Sequence, residues 1–149
     1  MANTICNIAV ISFPRTASKS LVNHLAEKHN KLTAHGVLHK PEYLGKNDYN
    51  VEEIVYGHKH ILHGHWHSLH KLDNKIYQYV MENYRIATSY RRIELVKESL
   101  NRITGKDLFD EVYRQTIVER DKWTIHEHYI MSGDVVHTVE PPVPTNILV

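Results

Sequence analysis

Read from its amino terminus, the chain opens with a dense apolar and β-branched run, Thr4 to Ser12 (TICNIAVIS), that stops at Phe13-Pro14. Proline lacks the N–H a ladder needs, so the spacing predicts a strand ending there. Ser18 to His29 then sets Leu21, Val22, Leu25 and Ala26 at helical spacing, with Ser18 as candidate N-cap and Asn30-Lys31 as the stop. Residues 30 to 50 are polar and irregular, broken by Gly36, Pro41 and Gly45. Val51 to Tyr56 predicts a short helix and Lys59 to His65 a second strand. Asp73 to Tyr84 carries Ile76, Tyr77, Val80 and Met81 on one helical face, and Arg85 to Arg91 alternates as a third strand. Ile93 to Ile103 is a helix closed by Thr104-Gly105. Lys106 to about His128 reads as one longer helix, buried through Phe109, Val112, Tyr113, Thr116 and Ile117. Val135 to Val139 is a last candidate strand before EPPVPT, which no helix accommodates. Strands alternating with helices predict an α/β three-layer domain over residues 1–139, its sheet mainly parallel and flanked by helices, with a Pro-rich extended tail over 140–149.

Composition changes this picture little and excludes several functions. At 149 residues, 42% hydrophobic and 23% charged, the chain has the make-up of one globular domain, not of a disordered tail, a collagen repeat or a coiled coil. A formal net charge of +1 argues against a surface built for the phosphates of a nucleic acid duplex. The single cysteine, Cys6, excludes a disulfide framework and any multi-cysteine zinc site. The longest apolar stretch, Ile8 to Ile11, is far too short to cross a bilayer, and the amino terminus lacks a secretory pattern. The expectation is a cytosolic protein without membrane partners. Thirteen histidines are the one anomaly.

The segment Phe13-Pro-Arg-Thr-Ala-Ser-Lys-Ser-Leu21 joins the first strand to the first helix, where backbone N–H groups and the helix dipole favour an anion. Arg15 and Lys19 add charge, and Thr16, Ser18 and Ser20 add hydroxyl donors. As a Walker A loop, Phe13 to Ser20 keeps Lys19-Ser20 and loses both glycines that let backbone curl around phosphates. The same residues, PRTASKSL, resemble the 5′-phosphosulfate loop of the P-loop sulfotransferase family, P-[KR]-[ST]-G-[ST]-x-x-L. Pro14, Arg15, Thr16, Ser18 and Leu21 fit, and Ala17 stands where that family usually has glycine. Arg91-Arg-Ile-Glu-Leu-Val-Lys-Glu-Ser99 resembles the family's second signature, an arginine at a strand end and a serine eight residues on.

The resemblance covers roughly residues 5 to 105 and fits a small, phage-sized member, or a relative that has lost activity. It implies a P-loop-type fold and transfer of a sulfuryl group from 3′-phosphoadenosine-5′-phosphosulfate (PAPS) to a hydroxyl or amine acceptor. Arg15, Thr16, Ala17, Ser18, Lys19 and Ser20 would hold its 5′ side, with Lys19 or Arg15 neutralising charge, and Arg91 and Ser99 would hold the 3′-phosphate. The alternatives are a nucleotide kinase or NTPase using Lys19-Ser20 with magnesium, for which no strand ending in a suitable Asp is evident, and an inactive binding or assembly module.

Gly57 to His70 (GHKHILHGHWHSLH) carries six histidines in fourteen residues. On a strand, His63, His65 and His67 share a face. His65, in a Gly-His element like the one that ends a strand in sulfotransferases, is the candidate general base; His63 is then a supporting residue, and His67 falls beyond the strand in solvent. A metal site of three imidazoles is a further reading, as is a solvated polar edge. Tyr77, Tyr79, Tyr84 and Tyr90 either line an acceptor pocket or complete a core edge.

Overall fold

The computed structural model describes residues 7–39 and 50–149. The expected start of the first strand at Thr4, and the breakers Pro41 and Gly45, lie outside those residues. β1 (Ile8–Ser12) is buried at every position, as a strand covered on both faces must be. It leads through a short loop into α1 (Ser18–His29), which buries Ser18, Leu21, Val22, Leu25 and Ala26 along one stripe. Asn30, in the left-handed region at φ +53°, closes α1 by donating its N–H to the carbonyls of Ala26 and Glu27.

The remaining elements are β2 (Leu32–Ala34), α2 (Val51–Gly57), β3 (His60–His65), a 3-10 segment (Trp66–Lys71), α3 (Asn74–Asn83), β4 (Arg85–Tyr90), α4 (Ile93–Thr104), α5 (Phe109–Arg120), β5 (Glu127–Ser132) and β6 (Val135–Val139). They form a six-stranded sheet in the order β2-β3-β1-β4-β5-β6, parallel except for β6 against β5. The expected mainly parallel α/β architecture is therefore present.

Alternation along the strands divides the core. Ile8, Val10, Ile61, Ala87, Tyr129 and Met131 pack with α1 on one face. Ala9, Ile11, Leu62 and Ile86 pack on the other with residues of α2 and α3 and with Trp66 and Trp123. A third cluster, Phe13, Val96, Leu100, Phe109 and Val149, lies where β1 gives way to its loop and joins α4, α5 and the carboxyl-terminal segment. Because β1 lies between β3 and β4, the connections diverge around it, and the crevice beyond its carboxyl end is where open α/β sheets take ligands.

Three expectations about elements are corrected. The helix drawn to His128 ends at Arg120, and His128 lies in β5, where Tyr129 and Met131 are buried at strand spacing. Of its expected stripe, Phe109 and Thr116 are buried and Val112, Tyr113 and Ile117 half-buried. β2 lies inside the segment read as irregular; three residues are too few for a periodic signal. Ser18 is the first residue of α1 and not its cap: Ala17 holds the N-cap position at φ +60° without a capping side chain.

The Pro-rich segment, set apart as a tail, packs on the domain. Arg91 and Val149 exchange N–H···O=C bonds of 2.9 and 3.0 Å, and Ile93 N–H donates to the Ile147 carbonyl. Leu148 and Val149 are buried. Among the described residues, no helix is long and apolar enough to cross a membrane.

Candidate functional site: an anion cleft beside a row of imidazoles

The β1–β3 register pairs Ser12 with His65, so the loop after β1 and the end of β3 start side by side. Within the loop, Arg15 (φ +67°) and Ala17 (φ +60°) are left-handed, while Thr16 and the helical Ser18 are not. Alternating handedness turns successive N–H groups toward one concave side. The first backbone bond of α1 runs from Leu21 N–H to the Ala17 carbonyl, so the N–H groups of Ser18, Lys19 and Ser20 lack intrahelical partners. A side chain in this region costs roughly 1–2 kcal/mol. The other two described non-glycine residues with positive φ, Asn30 and His58, are helix C-caps, where the conformation is ordinary.

Side chains hold the loop in that shape. Buried Thr16 donates its hydroxyl to the Phe13 carbonyl at 2.8 Å and receives one from Ser89 at 2.7 Å. Arg15 Nε donates to the Ser99 hydroxyl at 2.8 Å, and Arg91 Nη1 donates to the Arg15 carbonyl at 3.1 Å. Ser20 donates to Asp134 Oδ1 at 2.7 Å from α1 to the β5–β6 turn.

His63 ties the loop to the sheet. Its Nδ1 accepts the Gly36 N–H at 2.9 Å, and its Nε2 lies 2.8 Å from the Ser18 hydroxyl. A backbone N–H only donates, so the neutral ring carries its proton on Nε2 and gives it to Ser18. Ser18 keeps its own proton for another acceptor. His63 thus links the start of α1 to the Gly36 backbone.

These groups line a cleft of about 390 Å³ bounded by Arg15, Ala17, Ser18, Lys19, Ser20, Arg91, His39, His63, His65, Gly133 and Asp134. Eight residues singled out from the sequence meet there: Arg15, Ala17, Ser18, Lys19, Ser20, Arg91, His63 and His65. Thr16 and Ser99 do not line it; Thr16 turns inward to brace the loop, and buried Ser99 holds the Arg15 side chain.

Three residues on the wall, Gly133, Asp134 and His39, are absent from the sequence reading. Asp134 sits in a two-residue turn behind Gly133 (φ +61°), distant in sequence from every motif. His39 is buried and stacks on His65 with ring centroids 3.9 Å apart and planes 10° apart. Gly64 permits this, because a methyl group there would stand 2.6 Å from Leu38 Cβ. A glycine inside a strand signals such a close approach.

The rings continue as a row. His63 and His65 are 5.4 Å apart edge to face, and His65 and His67 are 5.9 Å apart and nearly parallel. His67, expected in solvent, is half-buried in the 3-10 segment, with Nδ1 buried and unpartnered among the described residues. No three His, Cys, Asp or Glu side chains among the described residues converge as metal ligands.

The tyrosines complete core edges and do not line the cleft. Tyr84 donates to the Val55 carbonyl, Tyr90 bonds His128, Tyr79 bonds His58 and Tyr77 donates to Glu119. Burial, reinforced by Glu119, pushes the Tyr77 phenol up to about 12.

Several imidazoles are held below the usual range near 6.5. Burial dominates for each, followed by Lys19 for His35, Lys71 then His70 for His67, Lys59 for His60 and Arg120 for His128. Below that range the unfolded chain binds more protons than the folded one, so stability rises with pH through the window from the depressed values to about 6.5. The denaturation midpoint is therefore expected to be lower at about pH 5.5 than at about pH 7.5. A flat or opposite profile by urea titration would contradict the buried imidazoles.

No protein-family model, curated protein or solved structure matches this chain.

Proposed function

We propose that this chain binds PAPS in the cleft and transfers its sulfuryl group to a hydroxyl or amine acceptor. The observation that supports this most is the convergence, in one cavity, of the alternating-handed loop, the cations Lys19 and Arg91, and the imidazole of His65. The loop backbone from Arg15 to Ser20 and the Ser18 hydroxyl hold the 5′ side, with Thr16 bracing the loop. Arg91 takes the 3′-phosphate, and Ser99 contributes by fixing Arg15.

The cofactor supplies the sulfuryl group and a phosphate leaving group. His65 accepts the acceptor's proton while the acceptor oxygen or nitrogen bonds to sulfur. The bond from sulfur to the bridging oxygen breaks, its electron pair stays on that oxygen, and Lys19 and Arg15 neutralise the charge developing there. The test is release of 3′,5′-adenosine bisphosphate from PAPS, with and without a panel of hydroxyl and amine acceptors. Acceptor-dependent release supports the reading; tight binding without release supports an inactive binding module.

A second reading is favoured by one observation, the 2.7 Å bond from Ser20 to Asp134. A serine after lysine, within reach of a carboxylate, is how nucleotide loops complete a magnesium shell around phosphates. On this reading the chain is a nucleotide kinase or NTPase. It requires magnesium-dependent ATP binding that Asp134→Asn weakens.

A further inference from the structure

A group transfer needs two ligands that meet at one atom, and the cleft accounts for only one. A second, open groove of about 300 Å³ adjoins it and shares two walls with it, His39 and His65. Pro14 of the loop lines this groove, with Leu100 and Thr104 from α4 and with Leu108 and Val112 from the start of α5. Whatever occupies the groove meets the cleft's ligand across the His65 ring.

The groove's chemistry is unlike that of the cleft. Pro14, Leu100, Leu108 and Val112 form an apolar wall, and the hydroxyl of Thr104 is engaged by the Leu100 carbonyl and by Lys106. The polar lining comes from the imidazoles of His39, His65 and His67 and from Ser68 and Lys71 of the 3-10 segment; Lys71 pairs with no carboxylate among the described residues. A sugar would turn hydroxyls onto Leu and Val side chains, where they lose water and gain no partner. An apolar body loses nothing there and gains burial.

We propose that this groove is the acceptor site and takes a hydroxyl compound with an apolar body, of phenol or short-chain alcohol type, in preference to a sugar. The inference rests on the transferase reading for the role of the occupant, though not for its binding. A carboxylate at the end remote from the hydroxyl gains from Lys71, by no more than about fivefold for an exposed pair.

The experiment titrates the full chain, without nucleotide, with 4-propylphenol, 3-(4-hydroxyphenyl)propionate and glucose, followed by NMR. Both phenols are expected to shift resonances around the groove, with glucose at least about tenfold weaker. Val112→Glu, at a half-buried position on α5, is expected to weaken both phenols by about tenfold or more while leaving 3′,5′-adenosine bisphosphate binding in the cleft unchanged, which also shows that the variant is folded. Lys71→Gln should weaken only the propionate. Glucose binding as tightly as the phenols, or Val112→Glu binding them like the parent protein, overturns the inference. Failure of the transferase reading looks different: phenols bind in the groove, and no sulfuryl transfer to them follows.

Discussion

Replacing His65 with alanine is expected to lower sulfuryl transfer by about 10²–10⁴-fold while leaving affinity for 3′,5′-adenosine bisphosphate nearly unchanged, the contribution a positioned general base makes. Parallel strands deliver their carboxyl ends to one edge, and pairing of Ser12 with His65 sets the ring beside the anion loop. His63, two residues earlier, is committed to Ser18 and Gly36, and its proton is already assigned. His65 lines both the cleft and the groove. His67 is the comparison: its ring stacks 5.9 Å from that of His65 and lines the groove but not the cleft, so His67→Ala should leave affinity for 3′,5′-adenosine bisphosphate unchanged and cost less in rate than His65→Ala. Normal turnover by His65→Ala would remove this residue from the chemistry.

Arg91→Ala is expected to erase most of the preference for 3′,5′-adenosine bisphosphate over 5′-AMP. One charge-assisted contact is worth about 1.5–3 kcal/mol, which is on the order of tenfold to a hundredfold in affinity. Arg91 also donates to the Arg15 carbonyl, so the substitution touches loop shape as well as ligand. Arg91→Lys separates the two effects, because it keeps the charge and loses the guanidinium fork. If charge alone reads the 3′-phosphate, the lysine variant retains much of the preference; if both variants bind 5′-AMP tenfold worse, the loss belongs to the loop. Isothermal calorimetry with the two nucleotides measures each case.

How much of this was legible in the sequence varies with how local the cause is. β1 and α1 were readable because their signals are local: an apolar run stopped by proline, then Leu21, Val22, Leu25 and Ala26 at helical spacing. The Arg15–Ser20 loop was readable as a cluster of cations and hydroxyls for the same reason. Its left-handed Arg15 and Ala17 were not, since they are imposed by Thr16, Ser89, Ser99 and Arg91, residues up to 84 positions away in the chain. β5 was hidden because Trp123 to Tyr129 follows a genuine helix without glycine or proline between them. Asp134 and His39 reach the cleft only through tertiary contacts, a hairpin turn against α1 and a loop laid over Gly64. Spacing along the chain carries no trace of either.

On the function proposed above, the cleft reads an adenosine nucleotide phosphorylated at both the 3′ and 5′ positions. The most direct test is a calorimetric titration of the unmodified chain with 3′,5′-adenosine bisphosphate, with 5′-AMP and with ATP plus magnesium, at one fixed ionic strength. The account predicts that the bisphosphate binds about tenfold to a hundredfold more tightly than 5′-AMP, and that magnesium is not required. Equal binding of the bisphosphate and 5′-AMP, or magnesium-dependent ATP binding stronger than both, would contradict it.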